Sequence, residues 1–261
     1  MPEIGEMLSS AFNALARTAE RTPLIRPAFS MCYRWARKRT DLAPLYRALE
    51  QRFASRQQWV IYDIGANDAG SGIAYARAFP NCRVELFEAH PEVAQIARDR
   101  LAAARLDNRT QLHEFAASNA DGVAQFHVSS QPAATGWRKH VSDSSSLLEP
   151  AKHIELHPNI AFAETIEVLT RRLDGWLAES NALLPHFLHM DVQGAELMVL
   201  EGLGSALAHV EAIWLEVERV ELYKGQPLVD DVHLFPYENA LELAIDAVGA
   251  NFDNQLWLRG A

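Results

Sequence analysis

Two hydrophobic periods alternate along the chain from Trp59 onward. Short apolar runs typical of buried strands, such as WVIYDI (59–64) and RVELFEA (83–89), are separated by segments with apolar residues every three or four positions, such as EVAQIARDRLAAA (92–104). Further strands are predicted at 110–118, 124–129, 166–170, 187–191 and 212–217, and further helices at 74–79, 173–179 and 195–207. This alternation predicts a parallel sheet with crossover helices.

Two segments of the chain lack this regular alternation, one at the N-terminus and one at 129–158. Apolar residues recur three and four positions apart between Met7 and Leu15, and prolines interrupt the segment soon afterwards. We therefore predict an N-terminal helical extension over residues 1–58 and one main domain over residues 59–261. The stretch 129–158 is rich in Ser, His and Pro and has little periodicity, so it is predicted to be a long loop of the kind that covers active sites.

Composition and charge narrow the class of protein. The chain of 261 residues has a formal net charge of −10, which argues against general nucleic-acid binding. Only two cysteines occur, and no apolar run approaches eighteen residues, so we expect neither a disulfide scaffold nor a membrane span. A reducing, cytoplasmic setting is the default expectation. The basic run RWARKR (34–39) is typical of a solvated helix face, although it would also suit phosphate, a membrane surface or an acidic partner.

Candidate chemistry begins at the glycine-rich stretch DIGANDAGSG (63–72), for which three interpretations compete. A phosphate-binding loop of the GxxxxGK[ST] type fails because Ser71 and Gly72 stand where lysine and a hydroxyl residue are required. A GxGxxG dinucleotide fingerprint is weak because Asn67 occupies the position of the second glycine. The third interpretation is an adenosyl ligand, for which Gly65 permits a tight turn after the strand.

A carboxylate at the end of the second strand supports the third interpretation. Glu88 follows Gly65 by 23 residues, where its oxygens can accept both hydroxyls of a ribose. Together with Asp63 at the end of the first strand, it points to S-adenosylmethionine (SAM). The alternative is a tight turn with an unrelated surface glutamate.

Acidic residues also end two later strands. Asp191 closes the strand 187–191, where α/β folds place groups that contact ligands. Glu216 and Glu218 share one face of the strand 212–217 and its continuation. His189 points to the same face as Asp191 and is a candidate general base, with a purely structural histidine as the equal alternative.

Several motifs taken together resemble the FkbM family of SAM-dependent methyltransferases. They are DIGANDAG (63–70), FEAHP (87–91), SSSLLEP (144–150), DVQGAE with LEG (191–202) and WLEVERVELYKGQPLVDD (214–231). The match covers about residues 59–258 in consistent order. One departure is Asp68, at a loop position where such enzymes often have a small or uncharged residue.

The resemblance implies an α/β fold of the Rossmann-like class I methyltransferase type. Such a fold has a seven-stranded, mostly parallel sheet with helices on both faces, and its last strand is antiparallel. The segment 252–261 is expected to be that strand. The implied reaction is SAM-dependent O-methylation of a hydroxyl on a natural product, sugar or lipid. Two alternatives stay open, namely N- or carboxyl-methylation of a peptide or small molecule, and a SAM-binding scaffold without catalysis.

The positions of individual residues, read together with the resemblance, give the following expected roles. The expected catalytic residues are Asp191, His189 and Glu216. The expected SAM-binding residues are Asp63, Gly65, Ala66, Asn67, Gly70, Glu88, Ala89, Ala117, Ser118 and Asp191. The expected acceptor-binding residues are Trp137, Ser145, Ser146, Gln193 and Glu218. No metal is expected, with a divalent cation between Asp191 and Glu216 or Glu218 as the alternative. The expected partner is a small-molecule or peptide acceptor, and a homodimer is compatible with the sequence.

Overall fold

The computed structural model describes residues 42–131, 140–141, 143–246 and 252–260. The chain divides into two compact units between Ala54 and Ser55. The described part of the first unit is helix α1 (Ala43–Phe53), whose inward residues Leu45, Leu49 and Phe53 are buried. The basic run 34–39 and Trp137 lie outside the described residues.

The second unit contains the sheets and the remaining helices. Its strands are β1 (Trp59–Ile64), β2 (Cys82–Phe87), β3 (Thr110–His113), β4 (Ala116–Ala117), β5 (Gly122–Gln131), β6 (His140–Val141), β7 (Ala161–Arg171), β8 (Phe187–Met190), β9 (Ala212–Glu218), β10 (Leu241–Asp246) and β11 (Phe252–Arg259). Its α-helices are α2 (Gly70–Ala78), α3 (Pro91–Ala104), α4 (His153–Leu156), α5 (Leu173–Ser180), α6 (Glu196–Gly202) and α7 (Val229–Glu238), and a 3-10 helix spans Gly204–His209.

The main sheet has seven strands in the order β3-β2-β1-β8-β9-β11-β10. Strands β1, β2, β3, β8 and β9 pair in parallel, whereas β11 runs antiparallel to both β9 and β10. This is the predicted class I methyltransferase arrangement, including the antiparallel last strand. The order reverses direction at β1, so the carboxyl ends of β1, β2 and β8 lie side by side at the position where open α/β sheets bind ligands.

The central strands are buried on both faces, which explains their apolar sequence. All six residues of β1 are buried, and the core around it includes Tyr62, Phe87, Trp176, Leu188 and Leu215. A parallel sheet covered by helices on both sides requires such continuous apolar runs, and strand formation at 59–64 is therefore the firmest local prediction of the sequence.

A second, four-stranded sheet was not anticipated. The predicted strands at 124–129 and 166–170 belong to β5 and β7, which pair with each other and with β6 and β4 in the order β4-β7-β5-β6. The predicted long loop is also more structured than expected, because β5 continues to Gln131 and α4 lies within it. Residues 110–118, predicted as one strand, are split between β3 and β4. We call residues 116–171 the inserted sheet.

The C-terminal part contains two elements that the pattern did not predict, α7 and β10. Pro236 lies inside α7, which is unfavourable for a helix and obscures the helical pattern. Strand β10 is an edge strand with mostly exposed residues, so it lacks the apolar run that identified the inner strands. Among the described residues, no helix is both long enough and apolar enough to span a lipid bilayer.

Candidate functional site

The glycine turn joins the ends of three strands. Gly65 has a φ of +78°, and a Cβ added there would lie 2.0 Å from the carbonyl oxygen of Asp191. The N–H groups of Gly65 and Ala66 donate to the carbonyl of Phe87 at 3.0 and 2.9 Å, and that of Asp191 donates to Ile64 at 3.0 Å. Only glycine can combine this conformation with such close contact, so the geometry of the turn requires glycine at position 65.

Glu88 lies directly after β2 with its carboxylate buried against the glycine turn. One oxygen accepts the N–H of Asn67 and the other accepts the N–H of His90, both at 2.8 Å. Burial raises the pKa of Glu88 to about 7, although these backbone donors favour the charged form. Each oxygen keeps a second lone pair, so the carboxylate can still accept hydroxyl groups from a ligand.

Next to Glu88, two side chains shape the surrounding loops. The ring of His90 accepts the N–H of Glu92 and caps helix α3, which begins at Pro91. Asp68, the residue that departs from the family pattern, accepts the N–H of Gly70 at 3.0 Å and forms an ion pair with Arg100. Asp68 therefore stabilises the start of α2.

The Gly65 turn, Glu88 and His90 border a cleft that is partly open to solvent. The lining combines polar groups with an apolar wall and comprises Ile64, Gly65, Asn67, Phe87, Glu88, Ala89, His90, Val93, Phe115, Ala116, Ala117, Phe126, Asp143, Ser145, Leu147, Asp191, Val192 and Ala195. The close glycine turn, the buried acid and the aromatic wall fit an adenosyl ligand.

The buried Asp63 and the half-buried His189 form a pair beside this cleft. The Nδ1 atom of His189 lies 2.7 Å from an oxygen of Asp63, and the imidazole packs edge-on against the ring of Tyr75. The other oxygen of Asp63 is buried and has no hydrogen-bond partner within the described part of the chain. Neither residue is among those that line the cleft.

At the far end of the cleft, a glutamine joins two of the predicted acids. The amide nitrogen of Gln193 donates to Asp191 at 2.7 Å and to Glu216 at 2.8 Å. Asp191 is exposed and lines the cleft, whereas Glu216 is half-buried behind it. The hydroxyl of Tyr223 lies 2.9 Å from the amide oxygen of Gln193.

Two further carboxylates lie close to this pair. Glu196 and Glu218 are each only 2% exposed. Burial raises the pKa of Glu196 and Glu216 well above the usual range and that of Glu218 to about 7, and the neighbouring negative charges act in the same direction. The group therefore retains protons at a pH where isolated glutamates have lost them.

The structure places the predicted residues in two groups. Those that line the cleft are Gly65, Asn67, Glu88, Ala89, Ala117, Ser145 and Asp191. Those that do not are Asp63, Ala66, Gly70, Ser118, Ser146, His189, Gln193, Glu216 and Glu218. Ser118 and Ser146 are buried, at 3% and 0% exposure, and contact the protein backbone instead.

The sequence reasoning missed the apolar wall contributed by the inserted sheet. Phe126 from β5 and Leu147 from the serine-rich segment both line the cleft. The alternation around Phe126 predicted a strand but not the sheet in which that strand pairs. Among the described residues, no group of three or more His, Cys, Asp or Glu side chains is arranged to hold a metal ion.

Comparison with known proteins gives one family and several relatives. Residues 63–240 match the family model described as the methyltransferase FkbM domain. The chain is 34% identical over 178 residues to the 2-O-methyltransferase NoeI of Sinorhizobium fredii, covering 68% of this chain and 71% of that protein.

Two solved structures similar to this chain are methyltransferases with low sequence identity. A precorrin-6y C5,15-methyltransferase from Geobacter metallireducens has a TM-score of 0.45 and 13% identity, over 83% of this chain and 88% of that chain. An O-methyltransferase family protein from Burkholderia thailandensis has a TM-score of 0.43 and 9% identity, over 84% of this chain and 56% of that chain.

Proposed function

The chain belongs to the FkbM family of methyltransferases, and on that premise we propose that it methylates a hydroxyl group of a small molecule. Its cofactor is SAM, which supplies a methyl group on a positively charged sulfur. The observation that supports a hydroxyl acceptor is the carboxylate of Asp191 at the edge of the cleft, where it can accept the proton of a hydroxyl. The relative named a 2-O-methyltransferase supports the same acceptor atom.

In this proposal, some residues of the cleft bind the cofactor and another accepts the proton of the acceptor. Glu88 and the Gly65 turn would hold the adenosyl part, with Phe115 and Phe126 beside its apolar portion. Holding the reactants in a fixed geometry provides much of the rate enhancement in such a reaction. Asp191 would then orient the hydroxyl and remove its proton.

His189 is the alternative general base. Its Nδ1 atom is already engaged by Asp63, which would fix the ring in one orientation, as an orienting carboxylate does for a catalytic histidine. The observation that favours Asp191 is its position on the cleft wall, from which His189 is absent.

The remaining parts of the proposal concern the cellular location, the acceptor, the oligomeric state and the N-terminal extension. A cytoplasmic location agrees with the unpaired Cys82. The acceptor is proposed to be a small natural product, sugar or lipid. A homodimer and an N-terminal extension over residues 1–58 complete the proposal.

The experiment supplies purified protein with methyl-labelled SAM and a deproteinised cell extract as a mixture of acceptors. We expect label to appear in a small molecule as a methyl ether, identified by mass spectrometry and NMR. The matched control is Asp191→Asn, which should still bind SAM. Label on nitrogen or on a carboxylate would contradict the acceptor assignment. SAM binding without any transfer would favour the scaffold alternative.

A further inference from the structure

The serine-rich segment 143–148 presents alternate residues to two different surroundings. Asp143, Ser145 and Leu147 line the cleft. Ser146, which lies between them, is fully buried and donates its hydroxyl to the carbonyl oxygen of Gln193 at 2.8 Å. The segment therefore acts as a wall with one face toward the ligands and the other against the turn that follows β8.

Tyr223 connects that wall to the acids. Its side chain is completely buried, and its hydroxyl lies 2.8 Å from the carbonyl oxygen of Ser144 and 2.9 Å from the amide oxygen of Gln193. A hydroxyl has one hydrogen, so the two carbonyl oxygens share it. Because the amide oxygen of Gln193 faces this donor, its NH₂ group faces the carboxylates.

Gln193 makes these contacts from a left-handed backbone conformation. Its φ is +56°, which is uncommon for a residue other than glycine. Its NH₂ group has two hydrogens, and the two contacts to Asp191 and Glu216 at 2.7 and 2.8 Å use both of them. Strain of this kind persists where the surroundings fix it, and it is concentrated at functional sites.

The NH₂ group of Gln193 is an important uncharged donor to Glu216, because other acidic groups surround that carboxylate. The titratable groups that face Glu216 are Asp191, Glu196 from α6, Glu218 from the same strand and Tyr223. On the neighbouring strand β11, the residue in register with Glu216 is the uncharged Asn254. Within the described residues, no ion pair from Lys or Arg reaches Glu196, Glu216 or Glu218.

We propose that Gln193 is a positioning residue, oriented by Tyr223, that holds the carboxylate of Asp191 in place at the cleft that Ser145 and Leu147 also line. The proposal deepens the proposed function and rests on it only in assigning Asp191 to the acceptor. The same amide stabilises the charged form of Glu216, since it donates to that carboxylate. Burial and the adjacent carboxylates raise the pKa of Glu216, and the hydrogen bond from Gln193 opposes them.

The test compares Gln193→Leu and Tyr223→Phe with a control of the same chemistry, Tyr62→Phe. Tyr62 is also fully buried and donates its hydroxyl to the carbonyl of Leu183 at 2.8 Å, so this variant loses one buried hydroxyl away from the acids. The first readout needs no acceptor: the protonated-carboxyl band of Glu216 is followed against pH by infrared spectroscopy and assigned with Glu216→Gln. S-adenosylhomocysteine binding by calorimetry reports whether the cofactor site is intact.

We expect Gln193→Leu to move the titration of Glu216 upward by about one pH unit, because a hydrogen bond to its charged form is lost. Tyr223→Phe should produce a smaller shift in the same direction, because the side-chain amide of Gln193 remains but is then free to rotate. Affinity for S-adenosylhomocysteine should stay within about twofold of the parent chain, and Tyr62→Phe should change neither quantity. If Gln193→Leu does not fold, the milder Tyr223→Phe carries the test. An unchanged Glu216 titration in the variants that fold overturns the proposed role of Gln193.

The second readout is the pH profile of label transfer from SAM to the extract. Its acid limb should move to higher pH in Gln193→Leu and Tyr223→Phe. A shifted infrared titration with an unshifted pH profile would overturn the positioning of Asp191 while leaving the hydrogen bonds in place. Absence of transfer by the parent chain would count against the proposed function, and the infrared result would still decide whether Gln193 controls Glu216.

Discussion

The two edges of the cleft hold their acids in different ways. At the edge that we assign to the cofactor and call the cofactor edge, formed by the Gly65 turn and Glu88, the carboxylate is fixed by backbone N–H groups at 2.8 Å. At the edge that we assign to the acceptor and call the acceptor edge, Asp191 lines the cleft, and Gln193, Glu216 and Tyr223 lie behind it. The carboxylates there are fixed by the side chains of other residues.

This difference suggests which edge can vary. A carboxylate held by the backbone keeps its place as long as the fold persists, which suits a cofactor that is common to a family. A carboxylate held by side chains can be moved by one or two substitutions, which suits an acceptor that differs between members. We expect substitutions at the two edges to separate cofactor affinity from turnover.

The largest effect is expected where the two edges touch. In Gly65→Ala the new Cβ would lie 2.0 Å from the carbonyl oxygen of Asp191, at a φ of +78°. We expect a loss of about 3 kcal/mol or more in the free energy of unfolding, measured by urea denaturation, and no detectable SAM binding. Gly225→Ala is the control, because Gly225 has a φ of +70° but no atom within 4 Å of the added Cβ. Equal effects of the two variants would mean that the conformation, and not the contact between the edges, is responsible.

The next largest effect concerns turnover alone. Asp191→Asn preserves the shape of the side chain and its contact with Gln193 but removes the charge. We expect label transfer to fall by about two orders of magnitude, the usual scale for a positioned acid or base, while SAM affinity changes less than about twofold. His189→Ala is measured in parallel, and a comparable loss with a shifted pH profile would transfer the role of base to His189. Near-normal transfer by Asp191→Asn would make that acid structural.

The sequence could predict that the Gly65 turn and Glu88 lie together, because this arrangement depends on local signals. A buried strand, a glycine that must turn, and an acid after the next strand lie within 26 residues, from Asp63 to Glu88. The acceptor edge depends on contacts between distant segments: Tyr223 and Gln193 are 30 residues apart, and Ser146 and Gln193 are 47 apart. Asp191 and Glu216 could be placed at neighbouring strand ends, but the amide between them is visible only in three dimensions.

The inserted sheet shows the same limit on a larger scale. The alternation in 124–129 and 166–170 correctly predicted two strands. It could not show that they leave the main sheet, because pairing partners are set by tertiary packing of residues such as Phe126 and Val168 against Ala89 and Leu147. The origin of the wall beside the cofactor edge therefore became clear only from the structure.

A smaller effect is expected from the acid of the cofactor edge. Glu88→Ala should weaken SAM binding by about 1 to 3 kcal/mol, the cost of a lost charge-assisted hydrogen bond, as measured by calorimetry. With a pKa of about 7, Glu88 in the parent chain loses its charge as the pH falls, so SAM affinity should decrease below that pH. The exposed Glu92→Ala is the control and should retain both the affinity and its pH dependence. Unchanged affinity in Glu88→Ala would remove Glu88 from the cofactor site.

The smallest effect should appear in stability and not in binding. It tests whether Glu218, at the acceptor edge, is protonated in the folded state. Glu218 is 2% exposed, and burial together with the charge of Asp191 raises its pKa from 4.5 to about 7. Because the folded state binds this proton more tightly than the unfolded state, the stabilisation it provides is complete below pH 4.5 and is lost as the pH rises through about 7. Glu218→Gln cannot ionise, so it should avoid that loss.

The free energy of unfolding of Glu218→Gln should therefore exceed that of the parent chain at pH 8 and should not exceed it at pH 4.5, measured by urea denaturation without ligand. The exposed Glu238→Gln controls for the general effect of removing one negative charge. A gain that is equal at both pH values would mean that Glu218 holds no proton in the folded state. A gain confined to the higher pH would show that Glu218, unlike an isolated surface carboxylate, keeps its proton in the folded state until the pH approaches about 7.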